Sequence, residues 1–243
     1  MIARAGIRTV LQCLTGTKAT GATCSLSDRF QRLARPEQSC TSYNDVCRIT
    51  PVTKALDHLP ETFSYGQAMA AGMSRHRLYA LRNAGELELV GRGLYRRAGA
   101  ALADFDLLEA AHRAPLATIC LLSALARHDL TDTIPAQHDL ALPRGTWHPR
   151  LSAPIKWHSF DPDTFTIGRT TVHIDGQTQI GLYDAPRSVI DAYRLRDDLG
   201  IDVAHEALRR WLRSGGQPAV LLDTARAFPH ARPAILTALE ILL

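Results

Sequence analysis

Apolar residues recur at helical spacing from Val52 onwards. Val52, Ala55, Leu56 and Leu59 fall at positions i, i+3, i+4 and i+7, which predicts a short amphipathic helix. Pro60 ends this helix, because proline cannot continue the backbone hydrogen-bond ladder. No comparable period is found before Val52.

Two more helices and a hairpin follow this first helix. Ser64 is a suitable N-cap for a second helix, and Ser74 caps a third helix that runs to about Ala84. Two short alternating segments then flank Gly91-Arg92-Gly93, which predicts a β-hairpin. Three helices and a hairpin form the plan of a winged helix-turn-helix, which we place at residues 52–98.

The pattern changes after residue 104, where helices are mixed with short strands. Asp175-Gly176 lies between two strands and is typical of a type I′ hairpin turn. The predicted elements are a helix at 105–113, a buried strand or helix start at 118–122, a helix at 123–130, strands near 138–142, 155–159, 171–174 and 177–181, and final helices at 186–196, 202–213, 219–228 and 232–242. We therefore predict an α+β fold, in which the winged helix-turn-helix precedes a mixed α+β domain at 104–243 that ends in helices.

Residues 1–51 are rich in Ser, Thr, Gly, Gln and Cys, a composition typical of disorder. Two accounts of this segment stay open. It is either a basic arm that adds non-specific affinity for DNA, or an extension that results from a start codon assigned too far upstream. We expect the second, with initiation near Val46 or Val52, because the domain pattern begins only at Val52.

Composition narrows the class of protein only modestly. The apolar fraction is 46%, the charged fraction is 21% and the net charge is +4, values that are ordinary for a globular protein. No run of about 18 apolar residues occurs, so no membrane-spanning helix is predicted. Four of the five cysteines lie before residue 48 without C-x-x-C spacing, so we expect no zinc site and a reducing cytoplasm.

Arginine dominates the basic residues. Only three of the 28 are lysines, at Lys18, Lys54 and Lys156. A GC-rich genome accounts for this bias, although arginine also suits bidentate contacts to phosphate and guanine.

The third helix carries the candidate chemistry. It begins Ser74-Arg75-His76-Arg77 and continues through Tyr79 and Arg82, while Leu78 and Leu81 fall on the opposite side. The first turns of a helix in the major groove reach the base edges. We therefore predict base contacts from Arg75 and His76, and phosphate contacts from Arg77 and Arg82.

The hairpin adds arginines at two places. Arg92 lies at the tip between two glycines, which allow a tight turn to bring it close to DNA. Arg96 and Arg97 lie at the base. Any one of these arginines is ordinarily a solvated surface charge, but together they favour double-stranded DNA as the partner. The predicted DNA-contact residues are Ser74, Arg75, His76, Arg77, Tyr79, Arg82, Arg92, Arg96 and Arg97.

Sequence spacing argues against catalysis. A restriction-type nuclease needs an acidic residue two positions before a lysine, and Gly16, Val52 and Pro154 stand there instead. A nucleotidyltransferase needs a D-x-D pair after a Gly-Ser turn. Asp104-Phe105-Asp106 and Asp161-Pro162-Asp163 lack that turn, so we interpret the first as a helix N-terminus and the second as a turn.

Other polar residues also have ordinary interpretations. The ten histidines show no H-x-x-x-H or H-E-x-x-H grouping. Arg187 and Asp191 stand at i and i+4, a pair typical of a helix surface. Cys120 lies in an apolar run and is expected to be a buried free thiol. We predict no enzyme activity, no metal and no cofactor.

Several segments together resemble one family, the AbiEi-type antitoxins. Its N-terminal domain is similar to Phe63–Arg75, Leu78-Tyr79, Leu81, Gly85-Glu86-Leu87 and Val90–Arg96. Its second domain is similar to Cys120–Thr131, Pro143-Arg144-Gly145, Ile174-Asp175-Gly176 and Ala185–Asp191. The resemblance spans about residues 52–243.

This resemblance implies a function that spacing alone does not. The family's N-terminal domain represses its own operon by binding repeats in the promoter. Its second domain is linked to neutralising a nucleotidyltransferase-like toxin, usually without a stable complex. We therefore expect the cytoplasmic, repressing antitoxin of a type IV toxin–antitoxin system. The alternative is a non-catalytic protein-interaction module whose winged helix binds DNA weakly or without selectivity.

Overall fold

Two β-sheets with flanking helices make up the described part of the chain, residues 56–101 and 103–242 of a computed structural model. These residues fall within one compact unit. The mixed α+β class expected from the sequence is confirmed. The predictions for residues 1–51 lie outside the described residues, as does most of the helix expected from Val52, of which Leu56 and Asp57 form a helical end.

The smaller sheet has three antiparallel strands in the order β1-β3-β2. A core of apolar residues, including Phe63, Leu78, Leu81, Leu87 and Tyr95, joins this sheet to two helices. Its elements are β1 (Thr62–Ser64), α1 (Tyr65–Ala70), α2 (Arg75–Asn83), β2 (Leu87–Gly91) and β3 (Leu94–Arg97).

The second part of the chain alternates helices and strands as the sequence pattern predicts. Its elements are α3 (Phe105–Arg113), β4 (Thr118–Ile119), α4 (Leu121–Arg127), β5 (His138–Pro143), β6 (Ile155–Phe160), α5 (Pro162–Phe165), β7 (Arg169–His173), β8 (Gln179–Tyr183), α6 (Ala185–Arg194), α7 (Arg196–Leu199), α8 (Ile201–Arg213), α9 (Pro218–Thr224), a 3₁₀ turn (Ala225–Ala227) and α10 (Arg232–Leu242). No helix in the described ranges is long and apolar enough to cross a membrane.

The larger sheet has the strand order β6-β5-β4-β8-β7 and is mixed. Parallel pairs join β5 to β6 and β4 to β8, and the other pairs are antiparallel. Successive side chains of β5 face opposite sides. Leu140 and Leu142 pack in the cluster that contains α3, and Ala141 packs in the cluster that contains Phe160 and Tyr183. The final helices α6, α8, α9 and α10 share their own apolar core.

The turn between β7 and β8 differs from the predicted type I′ turn. Gly176 does not adopt a positive φ, which that turn requires. The carboxylate of Asp175 instead accepts hydrogen bonds from the backbone N–H groups of Gln177 (2.9 Å) and Thr178 (2.6 Å). The prediction failed because an Asx-type turn uses the same Asp-Gly dipeptide in a longer loop.

Arg187 and Asp191 also differ from their predicted place on a helix surface. Both side chains are completely buried, and Arg187 Nε donates to Asp191 Oδ2 at 3.0 Å. Arg187 Nη1 donates to the carbonyl oxygens of Thr164 and Ile167, each at 2.7 Å. The i, i+4 spacing identifies the pair correctly, but two of the aromatic rings that cover Arg187, those of Phe160 and Phe228, come from distant segments.

Candidate nucleic-acid interface

A short connection sets the position of α2 relative to α1. Gly72 adopts φ +83, which a residue with a side chain rarely tolerates. Met73 then turns into the core, and its N–H donates to the carbonyl oxygen of Ala68 at 3.0 Å. The hydroxyl of Ser74 accepts a hydrogen bond from the N–H of Arg77 at 3.2 Å and caps α2. The sequence therefore defines both the start and the direction of this helix.

One face of α2 is anchored and the other is accessible. Leu78 and Leu81 are buried, as the spacing predicts, whereas Arg75, His76 and Arg82 are exposed. Arg77 and Tyr79 are half-buried, and Ser74 is exposed at the N-terminus. The helix has no acidic residue, so its exposed face is positively charged along its whole length.

Tyr79 brings two of these arginines together. The Cζ atom of Arg75 lies 5.5 Å from the centroid of the Tyr79 ring, and that of Arg82 lies 5.1 Å from it. Both distances are typical of cation–π contacts. The tyrosine therefore holds two guanidinium groups, each about one helical turn away from it, on the accessible side of α2.

Tyr95 on β3 lies behind this group. Burial raises the pKa of its phenol, the nearby Tyr79 adds to the increase, and Arg82 opposes it. The Tyr95 hydroxyl is therefore neutral at physiological pH. Its ring also stacks on Phe63, with centroids 6.3 Å apart, so α2 rests on an aromatic part of the smaller sheet.

The hairpin turn places Arg92 on the surface. Gly93 adopts φ +72, and its carbonyl oxygen accepts from the N–H of Tyr65 at 2.8 Å. Gly91 is buried, and a Cβ atom there would lie only 2.6 Å from the carboxyl carbon of Glu109. The two glycines thus have different roles, since Gly93 allows the turn and Gly91 allows α3 to pack closely against it.

The structure does not place Arg96 and Arg97 with the other predicted contacts. Arg96 is only 3% exposed, its guanidinium donates to the carbonyl oxygen of Ala101, and it lies over the Phe105 ring. Arg97 is partly buried and donates to the carbonyl oxygens of Leu56 and Leu59. Both side chains are occupied in packing β3, so we leave them out of the DNA-contact set proposed below.

The two acidic D-x-D pairs are helix caps. Asp104 Oδ1 accepts from the N–H groups of Asp106 and Leu107 at the start of α3. Asp161 Oδ1 accepts from the N–H of Asp163 at the start of α5. The second pair is therefore the start of a one-turn helix rather than the simple turn that the sequence predicted.

Two other polar features lie outside this surface, a cluster of Asp104, Asp106 and His138 and the buried thiol of Cys120. Asp104, Asp106 and His138 bring one oxygen or nitrogen each within 4.8 Å of the others, with Asp104 capping α3 through Oδ1 while its Oδ2 lies 3.4 Å from His138 Nε2. Cys120 is a free, fully buried cysteine, as expected, and burial raises the pKa of its thiol well above the ordinary value. A buried, protonated thiol is a poor nucleophile.

The fold and this surface define an α+β protein in which an arginine-bearing helix lies beside a three-stranded sheet with a basic turn. Comparison with protein families then gives a specific resemblance. Residues 54–98 match the family described as "Transcriptional regulator, AbiEi antitoxin". The resemblance to AbiEi-type antitoxins expected from the sequence is confirmed by this match, which suggests a transcriptional regulator antitoxin. The resemblance of residues 99–243 stays a prediction.

Other comparisons are more distant. One solved structure that matches is the RV2827C protein from Mycobacterium tuberculosis, which is 18% identical to this chain. The match covers 77% of this chain and 80% of that chain, with a TM-score of 0.43. The search of curated proteins gave no match.

Proposed function

We propose that residues 52–98 form a winged helix-turn-helix that binds double-stranded DNA and represses transcription from the protein's own promoter. In this proposal α2 is the recognition helix and the β2–β3 hairpin is the wing. Arg75 and His76 contact bases from the first turn of α2. The phosphate backbone is contacted, directly or through a side chain that they position, by Ser74, Arg77, Tyr79, Arg82 and Arg92.

The observation that carries this proposal is the arrangement of Arg75 and Arg82 on the Tyr79 ring. An arginine that is held in place loses less conformational freedom when it binds a base edge or phosphate. In the described part of the chain neither of these two arginines forms a salt bridge with a carboxylate. Arg82 Nη2 donates to Asn83 Oδ1 at 3.2 Å, and the other guanidinium donors of the two arginines are available to an anionic partner.

The antitoxin role rests on the family description of residues 54–98. We propose that the protein acts in the cytoplasm as the antitoxin of a type IV system, autoregulates repeats in its own promoter and counteracts a nucleotidyltransferase-like toxin without a stable complex. Repression requires no bond to be made or broken, and we propose no catalytic residue.

DNA binding by the full chain tests this function. Fluorescence anisotropy would compare the chain's own promoter with a scrambled duplex of equal length at several salt concentrations. We expect tight, promoter-selective binding that weakens steeply with salt, because phosphate contacts release counterions. Arg75→Ala should reduce the discrimination by about 1–3 kcal/mol, the value of one bidentate arginine–guanine contact.

Arg213→Ala is the matched control, because Arg213 is an exposed arginine on α8. It should leave promoter selectivity unchanged. Equal and weak binding of both duplexes by the wild-type chain would contradict the repressor function and favour the protein-interaction alternative.

That alternative would need an apolar groove on the final helices that could hold a partner. The recess at the end of α8 and α10, lined by His205, Arg209, Ala238, Ile241 and Leu242, has a volume of about 80 Å³. That volume accommodates a single side chain and not a partner helix. Exposed apolar side chains on these helices include Ile201 and Ile241.

A further inference from the structure

A cleft of about 640 Å³ opens between the hairpin turn and the loop that connects β5 to β6. This volume lies within the range of about 300–1,000 Å³ typical of small-molecule sites. Its lining includes Arg92, Glu109, Arg113, Trp147, Arg150 and Ser152. None of these residues except Arg92 belongs to the DNA-contact set proposed above.

The two walls of the cleft are held by specific contacts. On one side the guanidinium of Arg113 donates to the carbonyl oxygen of Arg92 and fixes the hairpin turn against α3. At the base, Oε2 of the buried Glu109 accepts from the N–H of Ser152 at 3.1 Å. On the other side the indole N–H of Trp157 donates to the carbonyl oxygen of Pro149 at 3.1 Å. The loop beside the cleft is therefore anchored at Pro149 and at Ser152.

The charge of the cleft is strongly positive. Arg92, Arg113 and Arg150 are exposed, and none forms a salt bridge with any carboxylate in the ranges that the structure describes. Glu109 is the acidic residue of the lining, and it is buried and bonded to Ser152. By contrast, Arg187 and Arg210 each have an acidic partner. The cleft therefore offers several unpaired guanidinium groups to one anion.

An aromatic side chain accompanies these arginines. Trp147 is 75% exposed although it belongs to the anchored loop. The neighbouring His148 is held in place by stacking on Trp157, with ring centroids 5.9 Å apart. An exposed indole beside unpaired arginines is suited to stacking with a base whose phosphate lies on the guanidinium groups.

We propose that this cleft binds a nucleotide, with Arg92, Arg113 and Arg150 around the phosphate and Trp147 against the base. The same chemistry is presented by a free nucleotide and by one nucleotide of a nucleic-acid strand. The site goes beyond the proposed reading of a promoter by α2 and does not require it.

Isothermal titration calorimetry with the full chain tests the site. The probes are ATP, inorganic pyrophosphate and a 5′-phosphorylated single-stranded decanucleotide. We expect Arg150→Ala to weaken binding of all three. Trp147→Ala should weaken ATP and the oligonucleotide by about tenfold, through lost stacking, and leave pyrophosphate within twofold of wild type. Tighter binding of ATP than of the oligonucleotide assigns the site to free nucleotides, and the reverse order assigns it to a strand.

Two controls separate this site from the helix surface. Arg213→Ala should bind all three probes like the wild type, and so should Arg75→Ala, even though the latter loses promoter selectivity. Both cleft substitutions are at exposed positions, so folding is expected to be preserved, and circular dichroism checks it. The proposal is overturned if no probe binds at millimolar concentration, or if ATP binds equally to the wild type, Arg150→Ala and Trp147→Ala.

Discussion

Asp191 is the carboxylate that two arginines share inside the second part of the chain. Arg187 Nε lies 3.0 Å from one of its oxygens and Arg194 Nη2 lies 3.1 Å from the other. Asp191→Ala leaves the fully buried Arg187 without its anionic partner. We expect a loss of about 3–5 kcal/mol in the free energy of unfolding, as for other buried pairs from which one partner is removed. Urea denaturation measures it.

The chain offers a matched surface pair for comparison. Asp223 and Arg226 lie 3.5 Å apart, and both side chains are about three-quarters exposed. Asp223→Ala should therefore cost at most about 1 kcal/mol. Similar losses of unfolding free energy for Asp191→Ala and Asp223→Ala would contradict the expectation that the buried pair contributes more to stability than the exposed pair.

At the scale of single residues, the sequence identifies the side chains that are able to contact DNA better than it predicts which of them are buried. The exposed face of α2 follows from the positions of Leu78 and Leu81. Arg92 and Arg96, however, stand in one hairpin and differ only in what covers them. Arg96 contacts Ala101 and Phe105, which lie beyond the hairpin in sequence. The residue pattern of the hairpin alone therefore does not reveal these contacts.

The β2–β3 hairpin is packed against α3 with little space between them. In Gly91→Ala the new methyl group would lie 2.6 Å from the carboxyl carbon of Glu109, which is itself held by Ser152. We expect a loss of about 1–3 kcal/mol in the free energy of unfolding from overpacking, measured from the urea midpoint.

Gly66→Ala is the control for that substitution. Gly66 lies in α1, its nearest neighbour would be 3.8 Å from the added Cβ, and alanine favours helix. It should be neutral or slightly stabilising. If Gly91→Ala left the free energy of unfolding equally unchanged, the close packing of Glu109 against the hairpin would be contradicted.

Most elements follow from local patterns, but their ends do not. The helix α3 matches its predicted bounds because Asp104 caps it and Pro115 follows it. The helix α4 begins at Leu121, within the segment 118–122 that the sequence left open as a strand or a helix start, and Leu121 has a φ of +46. A leucine rarely adopts this conformation, so propensity could not place the start of α4 there.

A junction between the two sheets joins residues that are far apart in the chain. The Thr62 hydroxyl donates to Asp175 Oδ2 at 2.8 Å. Burial works against ionisation of Asp175, but hydrogen bonds from Gln177, Thr178 and Thr62 outweigh it, and its pKa is lowered. His112 lies beside this junction. Burial lowers its pKa from the ordinary 6.5, and Asp175 opposes the change.

These shifts predict how stability depends on pH. A lowered pKa in the folded state means that the unfolded chain binds the proton more readily, so stability is lost as pH falls. We expect His112 to contribute a loss that begins below about pH 6.5, and Asp175 a further loss below about pH 3.8. Thermal unfolding at pH 7.5 and 5.5 tests the first of these.

The loss of stability between pH 7.5 and 5.5 should be absent from His112→Gln. It should be retained in His173→Gln, which changes an exposed histidine on β7. An unchanged pH dependence in His112→Gln would show that a different group binds the proton.

Arg187 also has a consequence for the order in which the chain folds. Its guanidinium contacts Thr164, Ile167 and Phe228, segments that lie on both sides of α6 in sequence. All of these segments must be in place before the buried charge is satisfied, and closing the intervening loops costs entropy first. We therefore expect the contacts of Arg187 to form after the folding transition state, so that they slow unfolding more than they speed folding.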